Sequence, residues 1–242
     1  MLRNILILVS LLVATVPATL HAARVSPMVV DVEPSGRAST ARVTVTNPEQ
    51  TPFPLEVRMF RGDISEDGEL DLIPADEQFL VFPAQAVIAP NAQQVFRIQY
   101  VADPGLSKSE IYYMAVKQLP VAFQPGNPQV QIVANFNVLV NVVPGGTRAD
   151  PVVEGIRPDT REEQPGVAFR IVNNGNRYFS AGSAQWTVSG TATDGSSVSL
   201  KFENGSMGNV LGFGVVSPGK ARTFFIPTDK PLKAGTIELK FK

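Results

Sequence analysis

The chain contains no cysteine and only one histidine, His21, which removes most of the side chains used in catalysis and metal binding. Ser-His-Asp and Cys-His arrangements for nucleophilic catalysis need the missing residue types, and most zinc sites are built from the same two. Neither the GxGxxG pattern nor the P-loop pattern for nucleotide binding occurs. We therefore expect a protein that is not an enzyme and that has no metal and no cofactor.

Runs of positive charge and long hydrophobic runs are also missing. The 21 Lys and Arg residues are balanced by 22 Asp and Glu, which gives a net charge of −1, whereas a nucleic-acid-binding protein needs a basic surface. After the first 22 residues, no stretch approaches the roughly 20 consecutive apolar residues of a transmembrane helix. The sequence therefore predicts no nucleic-acid partner and no membrane insertion.

The first 22 residues, MLRNILILVSLLVATVPATLHA, have the features of a secretory signal peptide. Arg3 precedes an apolar core from Ile5 to Val16, and small residues follow. The core is about 12 residues long, which is shorter than a membrane-spanning helix. We expect a signal peptide over residues 1–22 that is cleaved after Ala22, with Ala23 as the alternative, and therefore an exported protein. The other interpretation is an uncleaved anchor.

Short runs that alternate between apolar and polar residues dominate the rest of the chain. RVTVTN (42–47) and QVFRIQYV (94–101) are examples, and turn-forming clusters such as EPSG and APNA separate them. This alternation is typical of strands, and no segment keeps a 3.6-residue apolar period. Each half of the chain contains about seven such runs, and the predicted strands include Arg24–Val32, Thr40–Asn47, Val210–Val216 and Ala221–Pro227. The pattern predicts an all-β protein with two tandem immunoglobulin-like β-sandwich domains joined by a short Pro/Gly hinge.

The segment VVPGGTRADP (142–151) interrupts the strand pattern with Pro and Gly residues. It predicts an N-terminal domain over residues 23–143, a linker over 144–150 and a C-terminal domain over 151–242. The alternative is an ordinary loop inside one large sandwich.

The acidic stretch RGDISEDGELDL (61–72) invites comparison with a calcium-binding loop. An EF-hand loop that starts at Asp63 would need a bidentate carboxylate at its twelfth position, which is Pro74. We therefore expect a solvated, charged hairpin tip, and we interpret the cell-adhesion tripeptide Arg61-Gly62-Asp63 as part of it.

The stretch NPQVQIVANFNVLVNVVP (127–144) predicts an unusually long strand over residues 130–142. One of its faces carries Val130, Ile132, Ala134 and Phe136. An uncharged hydrophobic strand of this kind invites pairing with another chain. The periodicity alone also fits a central core strand of the domain.

Several blocks in sequence order resemble the periplasmic chaperones of the chaperone–usher pilus pathway. SEIYYMAVKQLP (109–120) resembles their aromatic-rich signature strand, which ends in a basic residue and an IP-like turn. FLVFPAQAVIAPNAQQVFRIQY (79–100) is similar to their block of a hydrophobic–proline strand, a loop and a strand ending in RI. RVTVTNPEQTPFPLEVRMF (42–60) is similar to their second and third strands. The resemblance covers essentially the whole chain after the signal peptide, more firmly in its first half.

This resemblance implies a periplasmic chaperone that binds pilus or fimbrial subunits by donor-strand complementation, prevents their aggregation and delivers them to an outer-membrane usher. In such a protein Val130, Ile132, Ala134 and Phe136 would fill the open groove of a subunit, as a form of β-augmentation. The free protein could also self-associate to cover this strand. The alternative function is that of a secreted two-domain immunoglobulin-like adhesin or binding module.

The chain departs from the resemblance at two basic residues that would grip the C-terminal carboxylate of a subunit. Their expected places fall near Val30 and Asn137, which indicates a divergent, archaic-type branch. Arg97 and Lys117 lie opposite the apolar faces of their strands and should point outward, so we expect them to hold the carboxylate instead. Arg58 is a third candidate, and the alternative is that all are solvated strand-face residues.

Overall fold

The computed structural model describes residues 22–120, 133–203 and 205–242. The expected signal peptide, apart from Ala22, lies outside these residues. Within them, no helix is long and apolar enough to cross a membrane. The strands of the first half are β1 (Arg24–Ser26), β2 (Val29–Val32), β3 (Thr40–Asn47), β4 (Phe53–Ile64), β5 (Leu70–Pro74), β6 (Phe79–Phe82), β7 (Gln85–Ile88), β8 (Ala92–Tyr100), β9 (Glu110–Gln118) and β10 (Asn135–Val142).

These strands form a two-sheet sandwich. One sheet has the order β1-β3-β8-β6, and the other has the order β2-β10-β9-β4-β5, with β7 also paired to β4. Alternate residues of each strand face the space between the sheets, as the period of two requires. Phe96, Tyr112, Met59 and Val140 are each fully buried there. The first half is therefore an immunoglobulin-like domain with its own core.

The second half is a separate set of strands around the only tryptophan. Its elements are β11 (Pro151–Arg161), β12 (Gln164–Asn173), β13 (Phe179–Ser180), β14 (Trp186–Thr191), β15 (Ser197–Phe202), the short helix α1 (Gly208–Leu211), β16 (Val215–Val216), β17 (Ala221–Pro227) and β18 (Glu238–Phe241). They pair as β11-β12-β17, β13-β16 and β15-β14-β18. Trp186 is buried against Phe169, and its indole N–H donates a hydrogen bond of 2.8 Å to the carbonyl of Ala181.

Two buried asparagines complete the turns next to the two cores. The side-chain amide of Asn47 donates to three carbonyls, those of Thr51, Ile88 and Ala89. In the second half, the side-chain amide of Asn173 donates to the carbonyl of Val216. The side-chain oxygen of Asn173 also accepts a hydrogen bond from the backbone N–H of Asp150. The end of the interdomain segment is thus bonded to the second domain.

The all-β, two-domain prediction is confirmed, and the differences are local. The expected first strand is divided into β1 and β2, which lie in different sheets. The expected strand over 210–216 is instead the helical turn α1 followed by the two-residue β16, because glycines at both ends of α1 permit a tight turn. No sheet among the described residues has strands on both sides of 143–150. The domain limits of 23–143, 144–150 and 151–242 agree with this and stay a prediction.

We expect Gly182→Ala to destabilise the second domain by about 1–3 kcal/mol or more, because overpacking at a closed site forces the backbone to move. A Cβ atom at this position would overlap the carbonyl oxygen of Gly212. Gly145→Ala is the matched control, since a Cβ atom there meets no atom within 4 Å. Urea unfolding followed by the fluorescence of Trp186 measures both. Equal midpoints for the two variants would contradict the close approach.

Candidate functional site

Strand β10 is paired unequally along its length. On one side it forms eight antiparallel residue pairs with β9, from Asn135↔Lys117 to Val142↔Glu110. On the other side it pairs in parallel with β2 over only four residues, from Leu139↔Val29 to Val142↔Val32. Among the residues that the structure describes, no strand lies beside Asn135–Val138 on that second side. This open half-edge is the candidate site.

The open half-edge exists because the N-terminal strand changes sheets. The chain pairs with β3 as β1, crosses between the sheets at residues 27–28, and then pairs with β10 as β2. Neither segment covers the beginning of β10. A groove of 760 Å³ lies there, and its lining includes Val25, Met28, Thr44 and Phe136.

The backbone of β10 presents hydrogen-bonding groups to this open side. The N–H of Gln118 on β9 donates to the carbonyl of Ala134 at 3.1 Å, and the N–H of Leu139 donates to the carbonyl of Met28 at 3.0 Å. Successive residues of a strand direct these groups to opposite sides. Even-numbered residues therefore bond to β9, and Asn135 and Asn137 direct their N–H and C=O groups to the open half-edge.

The side chains of β10 divide in the same way. Val138, Val140 and Val142 are fully buried in the core of the first domain. Ala134 and Phe136 are half-buried and pack against the rim of that core. The predicted donor residues Ala134, which precedes β10, and Phe136 thus lie on the inward face, and Phe136 lines the groove. Val130 and Ile132, the other two, fall in residues 121–132, which lie outside the described residues.

The opposite face of β10 is covered by the second domain in its C-terminal half. Leu139 is buried in a cluster with Ile64, Ile111, Tyr113 and Val215, the last of which belongs to the second domain. Sequence analysis did not identify this contact, since no local pattern reports it. It fixes one end of the strand while the other end stays open.

A polar contact beside this cluster centres on Asp31 of β2. Its carboxylate accepts hydrogen bonds from Asn141 at 2.9 Å, from the Tyr178 hydroxyl at 2.8 Å and from Arg177 at 2.9 Å. Burial, and then the hydrogen bond to Asp31, raise the pKa of Tyr178 to about 12. Tyr178 therefore stays a hydrogen-bond donor at neutral pH, and Asp31 links β2, β10 and the second domain.

The β4–β5 hairpin tip is exposed and charged, as expected, and it also contacts the second domain. The carbonyl of Glu66 accepts a 2.7 Å hydrogen bond from the N–H of Thr223, and its carboxylate accepts one of 2.7 Å from Arg170. The hydrogen bond from Arg170 lowers the pKa of Glu66 below its usual value. Across the described residues, no group of three His, Cys, Asp or Glu side chains is placed to hold a metal ion.

The structure does not bring Arg97 and Lys117 together. Both are exposed and point outward as predicted, but Lys117 is on β9 and Arg97 is on β8, which belong to different sheets. Sheets of a sandwich pack about 10 Å apart, so the two side chains leave from opposite faces. Lys117 lies beside Asn135, with its ammonium 5.5 Å from the ring centre of Phe60. The third candidate, Arg58, is held by Asp76 at 2.6 Å.

Comparison with known sequences identifies one family. The family described as "pili and flagellar-assembly chaperone, PapD N-terminal domain" matches residues 25–147, which is just over half of the 242 residues. None of the curated proteins compared with the chain matches it. The match includes all of β10 and the strands on both sides of it.

Solved chaperone structures share the fold over most of the chain. The YadV chaperone matches with a TM-score of 0.55 at 12% identity, over 91% of this chain and 92% of its own. The SafB chaperone of Salmonella enterica, in complex with the SafA pilin, matches with a TM-score of 0.51 at 15% identity, over 91% of this chain and 97% of its own. The matching chain of the CsuC–CsuE complex from archaic Csu pili of Acinetobacter baumannii gives a TM-score of 0.50 at 13% identity, over 85% of this chain and 91% of its own. Since several pilus systems match at similar scores, the archaic branch stays a prediction.

We expect Asn137→Pro to be tolerated much better than Val138→Pro. The N–H of Asn137 faces the open half-edge, whereas that of Val138 bonds to β9, so only the second substitution breaks a ladder hydrogen bond and empties a core position. Val138→Pro should cost about 3 kcal/mol or more through the lost bond and the lost valine side chain. Thermal unfolding followed by far-UV circular dichroism compares the two. Equal losses would show that Asn137 is bonded on both sides.

Proposed function

Because the chain belongs to the family of pili and flagellar-assembly chaperones, we propose that it is a periplasmic chaperone that binds pilus subunits along β10. It lends this strand to an incomplete subunit sandwich, prevents the subunit from aggregating and delivers it to an outer-membrane usher. Export by the N-terminal signal peptide brings it to the periplasm. Its work consists of binding and release, without catalysis.

The observation that carries this proposal is the open half-edge of β10. A strand added there would bond to the backbone groups of Asn135 and Asn137, which face no other strand in the described part of the chain. It would run beside β10 in line with β2, next to the groove that already contains Phe136. Strand addition of this kind supplies affinity through the main chain and specificity through alternate side chains.

The apolar face of the strand supplies the binding energy. Ala134 and Phe136 lie on this face, and Val130 and Ile132 continue the same parity in the sequence. Full burial of each large apolar side chain contributes about 1.5–3 kcal/mol. Val130 and Ile132 together contribute about 3–6 kcal/mol before the cost of ordering both partners. Phe136 adds less than a fully exposed side chain would, because it is already half-buried in its own domain. That energy is enough to hold a subunit whose own core is incomplete.

Lys117 is the proposed contact for the carboxylate of the subunit. It is exposed and lies directly beside Asn135 at the start of the open half-edge. Its ammonium lies 5.5 Å from the ring centre of Phe60, and none of the ion pairs among the described residues includes it. A lysine in this position can pair with an incoming carboxylate without breaking an existing contact. Arg97, on the other sheet, cannot share that carboxylate.

The geometry of the RGD tripeptide does not favour the alternative of an adhesin. Arg61-Gly62-Asp63 lies within β4 and is paired with β5 over all three residues. Arg61 is 3.4 Å from Glu110, and Asp63 is 2.8 Å from Lys220 of the second domain. Both charged groups are therefore engaged within the protein instead of being displayed on a loop.

We expect Phe136→Glu to reduce the recovery of chaperone–subunit complex at least tenfold, because a charge would enter the apolar groove of the subunit. Desolvation of a charge costs more than the roughly 1.4 kcal/mol that corresponds to tenfold. Co-purification from periplasmic extract with the subunit of the same pilus measures the effect. Phe82→Glu is the matched control, since Phe82 is an exposed phenylalanine on the other sheet.

The backbone contribution is tested separately by Asn137→Pro, which removes one N–H from the open half-edge and leaves Phe136 in place. Both the backbone and the side-chain variants should lose subunit while keeping the circular dichroism of the folded protein. Full recovery of complex with both would refute strand donation along β10.

Charge reversal at Lys117 should lower the amount of complex, and charge reversal at Arg97 should leave it unchanged. Lys117→Glu would place a negative charge next to the subunit carboxylate, whereas Arg97→Glu acts on the far sheet. Subunit abundance in the periplasm, measured by quantitative blotting, separates the two. A loss with Arg97→Glu and none with Lys117→Glu would overturn this assignment.

A further inference from the structure

The two domains meet across a surface that combines one apolar cluster with several polar contacts. In the cluster Leu139 packs with Val215, which is the one buried member that the described part of the second domain contributes. Hydrogen bonds from Asp31 and from Glu66 also join the first domain to the second. We call this whole surface the domain interface.

Two buried polar atoms at the domain interface have no hydrogen-bond partner. They are the side-chain oxygen of Asn141 and the Nε atom of Arg222, and the described residues contain no other buried side-chain polar atom without a partner. Asn141 is fully buried and lies on the same face of β10 as Leu139, two residues away. Buried polar groups are normally hydrogen-bonded, and each exception costs the desolvation of the group. The closed interface therefore carries a cost that hydration would remove.

Arg222 brings a positive charge into the domain interface without a carboxylate to balance it. Its guanidinium lies against the turn of the β4–β5 hairpin, since a Cβ atom at Gly68 would be 2.9 Å from its Nη2. Its Nη1 donates to the carbonyl of Val215 at 3.2 Å, and no ion pair within residues 22–120, 133–203 and 205–242 includes it. Burial lowers the pKa of Arg222 from its usual value. A desolvated charge of this kind favours an arrangement that returns it to water.

The ion pairs that cross the domain interface are exposed and stabilise it only weakly. Glu66 pairs with Arg170 at 2.7 Å and Asp63 pairs with Lys220 at 2.8 Å, and each of these side chains is at least 35% exposed. Water and salt screen such pairs, so they contribute little. The apolar cluster is thus the main stabilising contact, and the two unpartnered atoms oppose it. This balance leaves only a small difference in free energy between a closed and an open interface.

The segment that joins the domains has the properties of a hinge. On one side the N–H of Val143 donates to the carbonyl of Val32 at 2.7 Å, and on the other side the N–H of Arg148 donates to the side chain of Asn176 at 2.8 Å. Only residues 144–147, Pro-Gly-Gly-Thr, lie between these bonds. A Cβ atom at either glycine would meet no atom within 4 Å. A few residues of this kind can absorb the change in φ and ψ that a domain rotation requires.

Strand β10 connects the domain interface to the open half-edge. Its residues Leu139 and Asn141 lie at the interface, whereas Asn135–Val138 form the open half-edge. If the interface opens, Leu139 loses its contact with the second domain, and Asp31 loses two of its three hydrogen-bond donors. The strand is then positioned by its own sheet alone. The closed and open arrangements therefore differ in how firmly they hold β10.

We propose that the two domains open about residues 144–147, and that the closed arrangement holds a subunit on β10 more tightly than the open one. Opening returns Asn141 and Arg222 to water and separates Leu139 from Val215. A subunit that binds the closed arrangement better shifts the population towards it, and each opening event favours release. The effect on the subunit rests on the proposed function of β10, whereas the opening itself does not.

The first experiment measures opening in the purified protein by amide hydrogen exchange, without a subunit. The N–H of Ser109 donates across the interface to Asn176, and that of Thr223 donates to Glu66. We expect both amides to exchange at least tenfold faster than the amide of Val138, which is bonded within its sheet. They report opening of the interface, because a closed interface protects them and separation of the domains exposes them.

Three variants test the cause of the opening. Val215→Ala removes apolar contact and should speed the exchange of the Ser109 and Thr223 amides at least tenfold. Asn141→Leu removes the unpartnered oxygen and should slow their exchange. Val188→Ala is the matched control, because Val188 is a buried valine in the core of the second domain, and it should leave both rates unchanged relative to the unmutated protein.

Two results of this experiment would overturn the proposal. Interface amides that are protected as strongly as the amide of Val138 would show that the domains separate only when the protein unfolds. Exchange that Asn141→Leu leaves as fast as before, or that Val188→Ala speeds as much as Val215→Ala does, would show that the named contacts do not control opening.

The second experiment closes the domain interface covalently. Glu66 and Thr223 are joined across it by a backbone hydrogen bond of 2.7 Å, which brings them within reach of a disulfide, whose Cα atoms lie about 5.5–6 Å apart. The chain has no cysteine of its own, so Glu66→Cys with Thr223→Cys can form only this one bond. The matched control is Glu66→Ser with Thr223→Ser, which lacks the same two side chains but cannot be closed.

The rate of subunit release separates the closed form from its control. A labelled subunit bound to each variant is transferred to an excess of unmutated chaperone, and we expect release from the disulfide-closed form to be at least tenfold slower than from the serine pair. Equal rates would overturn the coupling between the domain interface and β10. Failure of the proposed function gives a different result, because the unmutated protein would then bind no subunit while the exchange of the interface amides would still report opening.

Discussion

The transfer of the N-terminal strand from one sheet to the other is the constraint on which the rest of the site depends. As β1 it completes the sheet that contains β3, and as β2 it completes the sheet that contains β10. It is too short in each sheet to cover the whole edge. The first half of β10 is therefore left with one neighbour, and its even side chains lie above a groove that the domain does not fill. A sandwich with an uninterrupted first strand would have no such opening.

The second domain makes this opening usable by holding the other half of the strand. Leu139 is buried against Val215, and Asp31 joins β2, β10 and the second domain through Asn141, Tyr178 and Arg177. The hairpin tip at Glu66 adds a further contact with Arg170. Cations and carboxylates on the surface contribute little individually, but these are joined to a buried apolar cluster. The two domains thus support one strand from different directions.

Sequence periodicity predicted the strands well wherever one face is buried and the other is solvated. The limits of Thr40–Asn47 and Ala221–Pro227 agree with the structure to the residue, because the period of two is a local property. Which sheet a strand joins is not local. For this reason the outward direction of Arg97 and Lys117 was predictable, whereas their separation onto opposite faces was not. The contact of Glu66 with Arg170, 104 residues away, has no sequence signature either.

The complete pairing of β10 with β9 bears on what happens after a client leaves. All eight residue pairs are on the side away from the open half-edge, so departure of a client breaks bonds that the protein's own fold does not use. In the proposed function, the strand is lent without being detached from β9. Each chaperone molecule can then bind subunits one after another. The number of chaperone molecules therefore limits how many subunits are sheltered at one time, but not how many are processed in total.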